Sequence, residues 1–488
     1  MARAMHQIPL CEVTFHPTSV NDPSGRLFWW RGDLYRAISA TRADLYRSLF
    51  DNRVVDGLVA KGLLVQTELT DLALEGCGLV LKHYQVPEVS YAYEWCDQML
   101  KDAALLIADL AIELAQHDLA LQDAHLWNVL FDGPHPVYVD FGSIVPANDS
   151  RIWPEYEEFC RFFLNPLRLM ARGHGRIARS LLHEFYPFQG VLESEANLLL
   201  GTCSARSRAR QAGSKMMSAA RRCIPRRFRP FLRGMLTSLE SRRSRQAPAS
   251  NEARLAFLRG IRRQVSGIRM PVRRTEWSDY YDSLFPPFTA SDEWTGKHHS
   301  VHKVLSDLCP QSVLDIGSNR GWYSQLAATL GSRVVALDVD EACVAKLYQD
   351  AKARDLPVLP VLMDFRNPSP GYGLCNEWFP PATRRLKCEM VLALALVHHL
   401  VFKQNLRFEH FVEGTAPFVN RWLLVEFVPP EDRHVREWWS ERFSWYTLDN
   451  FVQTLKAEFE TVEVIPSYPD PRVLLLCTRG STATRSGT

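Results

Sequence analysis

SVLDIGSNRGWYSQLAATLGSRVVALDVD, residues 312–340, decides the fold of the C-terminal half. Ser312 to Ile316 is a short apolar strand, Gly317 and Gly321 frame a tight turn, and Trp322 to Leu330 reads as a helix. A second strand, Val334 to Leu337, ends in an acid, Asp338, 21 residues beyond Gly317. In such a β-loop-α-β unit the glycines let the backbone approach a ligand, and the acid binds ribose hydroxyls. The turn reads D-x-G-x-x-x-G, because Asn319 stands where a dinucleotide fingerprint has its middle glycine. A nicotinamide-binding Rossmann domain and a non-catalytic α/β domain are the competing readings.

Further landmarks follow in order. VLMDF (Val361 to Phe365) ends a third strand with Asp364, and CEMVLALALVHHL (Cys388 to Leu400) is a fourth strand followed by His398 and His399. WLLVEFVPP (Trp422 to Pro430) is a fifth, holding Glu426. A helix over Leu448 to Phe459 and strands Thr461 to Ile465 and Arg472 to Cys477 complete the series. Alternating strands and helices predict a largely parallel α/β sheet.

Residues 275–479 thereby resemble class I S-adenosylmethionine-dependent methyltransferases. The resemblance implies a Rossmann-like seven-stranded sheet whose last hairpin is antiparallel, and S-adenosylmethionine as cofactor. It places the donor on Asp315, Gly317, Ser318, Asn319, Gly321, Asp338, Val339, Asp364 and Phe365, with Asp364 at the adenine amino group. A His after the fourth strand would face the transferred methyl and take a proton from an attacking oxygen or nitrogen. The alternative is that His-His-Leu begins the next helix and only shapes the pocket. His399 is preferred over His398, because apolar Leu400 follows it and adjacent side chains point apart. Glu426 is either a substrate-positioning acid or the buried partner of an Arg.

In the N-terminal half, LALQDAHLWNVLFDGPHPVYVDFGSI (Leu119 to Ile144) carries Asp123, Asn128 five residues on, and Asp140-Phe141-Gly142. This resembles the catalytic and metal loops of protein-kinase-like folds, including aminoglycoside and lipopolysaccharide kinases. There the first acid orients the acceptor hydroxyl, while the Asn and second Asp hold magnesium on the phosphates. The long apolar segment Tyr91 to His117 sits where that fold has its core helix. Residues 1–85, however, contain no Gly-rich loop, and Lys82 lies only 41 residues before Asp123, in the hinge neighbourhood. The expectation is a reduced N-lobe, weak Mg–ATP binding at most, and no metal site unless the kinase-like part is active. Before it, RLFWW-RG-DLYRAI (Arg26 to Ile38) reads as a hairpin, and Thr41 opens a helix through Leu63.

Charge is unevenly spread. The stretch 204–274 holds 20 Lys and Arg against Glu240 and Glu252, a net +18 in a chain of +2 overall, so the remainder carries −16. Either it docks an anionic carrier, acidic glycan or membrane surface, or it is a solvated helical face. With only Phe228, Phe231 and Phe257 to stack, nucleic acid is not expected as a partner. No apolar run nears the roughly 20 residues of a membrane span. The N-terminus has no apolar signal core, and the 11 cysteines form no CxxC pair, which together predict a cytoplasmic protein.

The whole reads as a multidomain α/β chain. Residues 1–245 form a kinase-like α+β domain, 246–274 a linker or helix, 275–479 the methyltransferase and 480–488 a disordered tail. The two-part layout resembles a bacterial group that includes nodulation-associated methyltransferases, implying a small-molecule, natural-product or glycan acceptor. The kinase-like part is then a recognition module. A bifunctional kinase–methyltransferase and an adaptor with a vestigial donor pocket are the alternatives.

Overall fold

The computed structural model describes residues 6–20, 22, 24–148, 153–183, 191–201, 250–277 and 291–480. The chain divides into two units. The first comprises Met1–Tyr84, Leu100–Val129 and Val137–Pro271; the second comprises Gln85–Met99, Leu130–Pro136 and Val272–Thr488. Most of the basic run, through residue 249, and the tail after 480 lie outside the described residues.

The first unit opens with a five-stranded antiparallel sheet of β1 (Thr14–Phe15), β2 (Gly25–Trp30), β3 (Asp33–Ser39), β4 (Thr67–Leu69) and β5 (Cys77–His83). Their order is β1-β2-β3-β5-β4. β2 and β3 form the expected hairpin, with Arg31 and Gly32 both at positive φ, as a two-residue turn of that twist needs. Phe28, Tyr35, Ala37 and Val80 bury the inner face. The outer strands β1 and β4 are two and three residues long, too short to give a period in sequence. The helix read as continuous from Thr41 to Leu63 is two, Ala40–Asp51 and Val54–Ala60, broken where Arg53 turns left-handed at φ 56°. The long apolar helix runs Asp97–Ala115, of which residues from Leu100 on belong to this unit; it starts later than the expected Tyr91, because Ala92–Glu94 forms a separate 3₁₀ turn. At the other end of the unit, Asn251–Ser266 is helical and buries Leu258, Ile261 and Val265. Arg262 of this helix pairs with Asp109, and Lys101 donates to the carbonyls of Ser266 and Ile268 at 3.0 and 2.7 Å. The described end of the basic stretch is thus partly neutralised and packed.

The second unit is built on one seven-stranded sheet: β6 (Ser312–Ile316), β7 (Arg333–Asp338), β8 (Val358–Leu362), β9 (Cys388–Ala393), β10 (Val419–Phe427), β11 (Thr461–Pro466) and β12 (Val473–Thr478). Its order is β8-β7-β6-β9-β10-β12-β11. The first five are mutually parallel and β12 runs antiparallel to both its neighbours. Every residue of β6 is buried, as an apolar central strand covered on both faces must be. Helices Gly296–Leu308, Trp322–Thr329 and Glu341–Arg354 contribute Val301, Leu305, Leu326, Ala327 and Leu347 to the core. β8 stops at Leu362 rather than Phe365, because Asp364 closes an Asx turn onto the Arg366 N–H at 2.9 Å. Within this same unit Arg385 is buried against the Glu94 carboxylate, the Val89 carbonyl and the face of Tyr91. Among the described residues no helix is long and apolar enough to cross a membrane.

Candidate functional site

In an open parallel sheet, ligands gather beyond the C-terminal strand ends where the strand order reverses. That point lies beside β6, between β7 on one side and β9 on the other. The turn after β6 is unusually bent: Gly317, Asn319 and Gly321 all have positive φ, at 73°, 52° and 70°. Its start is anchored to β7, since the N–H groups of Gly317 and Ser318 both donate to the Leu337 carbonyl. Gly321 is required twice over. A Cβ there would stand 2.5 Å from Leu347 Cδ1, and its backbone is left-handed.

Asp338 ends β7 against this turn. Its carboxylate accepts the Asn319 N–H at 2.7 Å and the Asp340 N–H at 2.8 Å, while burial pushes its pKa up. The neighbouring Val339 is 68% exposed, an apolar platform beside the acid. Asp315 lies deeper: it is fully enclosed, accepts the Ser324 hydroxyl at 2.6 Å, and burial raises its pKa to about 6. Asp364 stands on the next strand's exit. Burial pushes its carboxyl up, but Arg366 outweighs that and holds it below the usual value through a two-pronged contact at 3.0 and 2.6 Å. Phe365 beside it packs against Phe411, ring centres 6.1 Å apart. The Ser318 hydroxyl is buried with no hydrogen-bond partner, an orphaned polar atom on the turn itself. Permissive backbone, orphaned hydroxyl, acid and apolar platform together fit the adenosine part of S-adenosylmethionine.

On the β9 side the two histidines do not diverge. Their ring centres are 4.3 Å apart and both face Trp438, at 6.1 and 5.3 Å. A wide π-helical turn, His399–Lys403, begins here. His398 is buried and its Nδ1 has no partner, and burial drives its pKa well below the ordinary value. His399 is less enclosed. Burial first, then Lys403, His434 and Arg472, lower its pKa to about 4. Trp277 closes its other side edge-on at 5.4 Å, and Lys403 lies 4.4 Å from the Trp438 ring.

Glu426 is fully buried within the same unit. Lys297 donates to it at 2.6 Å, the Ala395 N–H at 2.9 Å and the Ser467 hydroxyl at 2.9 Å. It is the buried partner of a lysine, not of an arginine. Lys297 and Trp438 were missed in the sequence, since neither belongs to a local motif.

In the first unit, Asp123 sits behind its strand Leu119–Leu121, and its N–H donates to the Ser143 hydroxyl at 3.0 Å. Asn128 donates to the Tyr138 hydroxyl at 3.3 Å, which in turn donates to the Asp123 carbonyl at 2.9 Å. Burial, together with the Asp140 charge, raises the Asp123 pKa. The three residues are therefore neighbours. Asp140, however, already holds Arg36 of β3 at 3.0 Å.

No known family profile matches the chain. A relative matches almost all of it. Nodulation protein NoeA of Rhizobium meliloti (strain 1021) is 28% identical over 462 residues, 92% of this chain and 93% of its own. The expected resemblance to a nodulation-associated protein thus extends over most of the chain. Among solved structures, monomeric WbdD is 13% identical with a TM-score of 0.30, covering 41% of this chain and 46% of WbdD. Magnesium protoporphyrin IX methyltransferase of Synechocystis PCC 6803, with bound SAH, is 16% identical with a TM-score of 0.30, covering 42% and 92%.

Proposed function

We propose that the second unit is an S-adenosylmethionine-dependent methyltransferase acting on a small-molecule or glycan acceptor. The observation that carries this reading is the bent turn Gly317–Gly321 held against Asp338 at the sheet's reversal point. When bound, the donor supplies an electrophilic methyl on a sulfonium. The chain's own residues do the rest. Asp338 accepts from ribose hydroxyls with lone pairs its backbone donors leave free, Val339 covers one face of the base, and Ser318 offers its unused hydroxyl. Asp364 reaches the adenine amino group only if Arg366 yields part of its contact.

His399 is the proposed proton acceptor. With its pKa lowered to about 4, the imidazole is neutral at physiological pH and free to take a proton from a hydroxyl or amine at a ring nitrogen. Trp277 and Trp438 would stack on an acceptor ring, and Lys403 beside Trp438 favours one bearing negative charge. Glu426 is assigned a positioning role through Lys297 and the Ala395 N–H.

The first unit is proposed to be a kinase-like recognition module. The run Asp123, Asn128, Asp140 on adjoining loops supports this, as does a five-stranded sheet with helix Ala40–Asp51 between its third and fourth strands. Eight of the described cysteines, Cys11, Cys77, Cys160, Cys309, Cys343, Cys375, Cys388 and Cys477, are free thiols, which suits a reducing cytoplasm. Isothermal titration of the full chain with S-adenosylmethionine and its demethylated product should show micromolar binding. Tight binding of NAD with none of the methyl donor would overturn the proposal.

A further inference from the structure

The kinase-like resemblance implies a magnesium ion on Asp140 and Asn128 of the first unit, and the residues there do not fit one. The Asp140 carboxylate is taken. Arg36, on β3, reaches Asp140 Oδ1 with Nη2 at 3.0 Å and Asp22 Oδ2 with Nη1. Its side chain is 3% exposed, against 22% for Asp22 and 20% for Asp140. A guanidinium presents donors in a rigid fork, so it can bridge two carboxylates that would otherwise repel.

The surroundings are shaped to admit this fork. Gly142 has no side chain, and a Cβ there would fall 2.5 Å from Arg36 Nη1 and 2.9 Å from Asp22 Oδ2. The Gly142 carbonyl is fixed by the Ser24 hydroxyl at 3.0 Å and the Tyr46 hydroxyl at 2.7 Å. Phe141 is fully buried among Tyr46, Phe50 and His83. Asp22, strand β3 and turn 140–143 therefore converge on one buried cation from three separate parts of the unit. Among the described residues no group of three or more His, Cys, Asp or Glu stands together as a metal-ligand set.

We propose that Arg36 replaces a divalent cation in the first unit: its fork bridges Asp22 and Asp140, holds the turn 140–143 against β3 permanently, and occupies the Asp140 oxygen, Oδ1, that a magnesium ion would take. A metal-held closure is reversible and depends on ligand; this one is covalently part of the chain. The unit would be a constitutively closed module whose state does not follow ATP. This does not depend on the methyl-donor reading.

Differential scanning fluorimetry of the full chain, with and without millimolar MgCl2 and ATP, tests it. The wild type should show the same melting temperature in all conditions. Arg36→Ala leaves two facing carboxylates and should melt about 6 °C lower or more, with part of the loss recovered in MgCl2 alone. Should Arg36→Ala fail to fold, Asp22→Asn, which removes one arm of the bridge, should melt lower than wild type without responding to MgCl2. Three results would overturn the proposal: a wild-type stabilisation by Mg–ATP abolished in Asp140→Asn, an Arg36→Ala protein that melts like wild type, or a destabilised one that ignores MgCl2.

Discussion

The Asn319 N–H donates to the Asp338 carboxylate over 2.7 Å, so the acid ending the second strand of the C-terminal sheet holds the turn that follows the first. One carboxylate both shapes the donor turn and, in the proposed function, meets the ribose. Asp338→Ala should therefore weaken binding of S-adenosylmethionine by about 1–3 kcal/mol through lost charge-assisted bonds. Calorimetric affinities of the two proteins, measured at one salt concentration, decide it; equal affinities would remove Asp338 from the donor site.

Gly321→Ala tests the turn without touching a charge. The added methyl meets Leu347, itself fully buried, and the backbone stays left-handed. A loss of about 1–3 kcal/mol in urea unfolding is expected, with donor affinity falling alongside. An unchanged midpoint would mean that the turn relaxes freely.

Glu426 and His399 should separate by what they break. Glu426→Ala strands Lys297 in a buried site and should cost about 3–5 kcal/mol of stability. His399→Ala should leave donor affinity near normal while turnover drops about a hundred- to ten-thousandfold. His398→Ala shows whether the neighbouring ring matters equally, since both rest against Trp438. If all three retain normal turnover, the reaction proceeds by alignment alone.

The pH dependence has a definite sign at His399. Its pKa falls from 6.5 to about 4 on folding, so the unfolded chain binds the proton first and stability is lost as pH drops through that window. Melting temperatures at pH 7 and pH 5 should therefore fall further in the wild type than in His399→Phe. The same shift keeps the imidazole neutral, so the acid limb of turnover should appear near 4 to 5 and not near 6.5.

Much of the second unit was legible because apolar strands punctuated by acids carry their own period. Ser312–Ile316 is placed to the residue, and Arg333–Asp338 differs from its reading by one residue at each end. What escaped were pairings over long chain separations. Lys297 meets Glu426 129 residues away, and Arg36 meets Asp140 104 residues away. No local spacing encodes such contacts. Adjacent histidines were expected to point apart, yet a π-helical turn starting at His399 accompanies their packing together.

Gln85–Met99 and Leu130–Pro136 belong to the second unit although the rest of that unit begins only at Val272. Glu94 and Glu88 on the first of these segments are the counter-ions of Arg385 and Arg333. A gene fragment starting at codon 272 would inherit two cations without their anions, one of them buried. The second unit therefore cannot be excised as one continuous stretch of sequence, because its charge pairs close only when residues 85–99 travel with it.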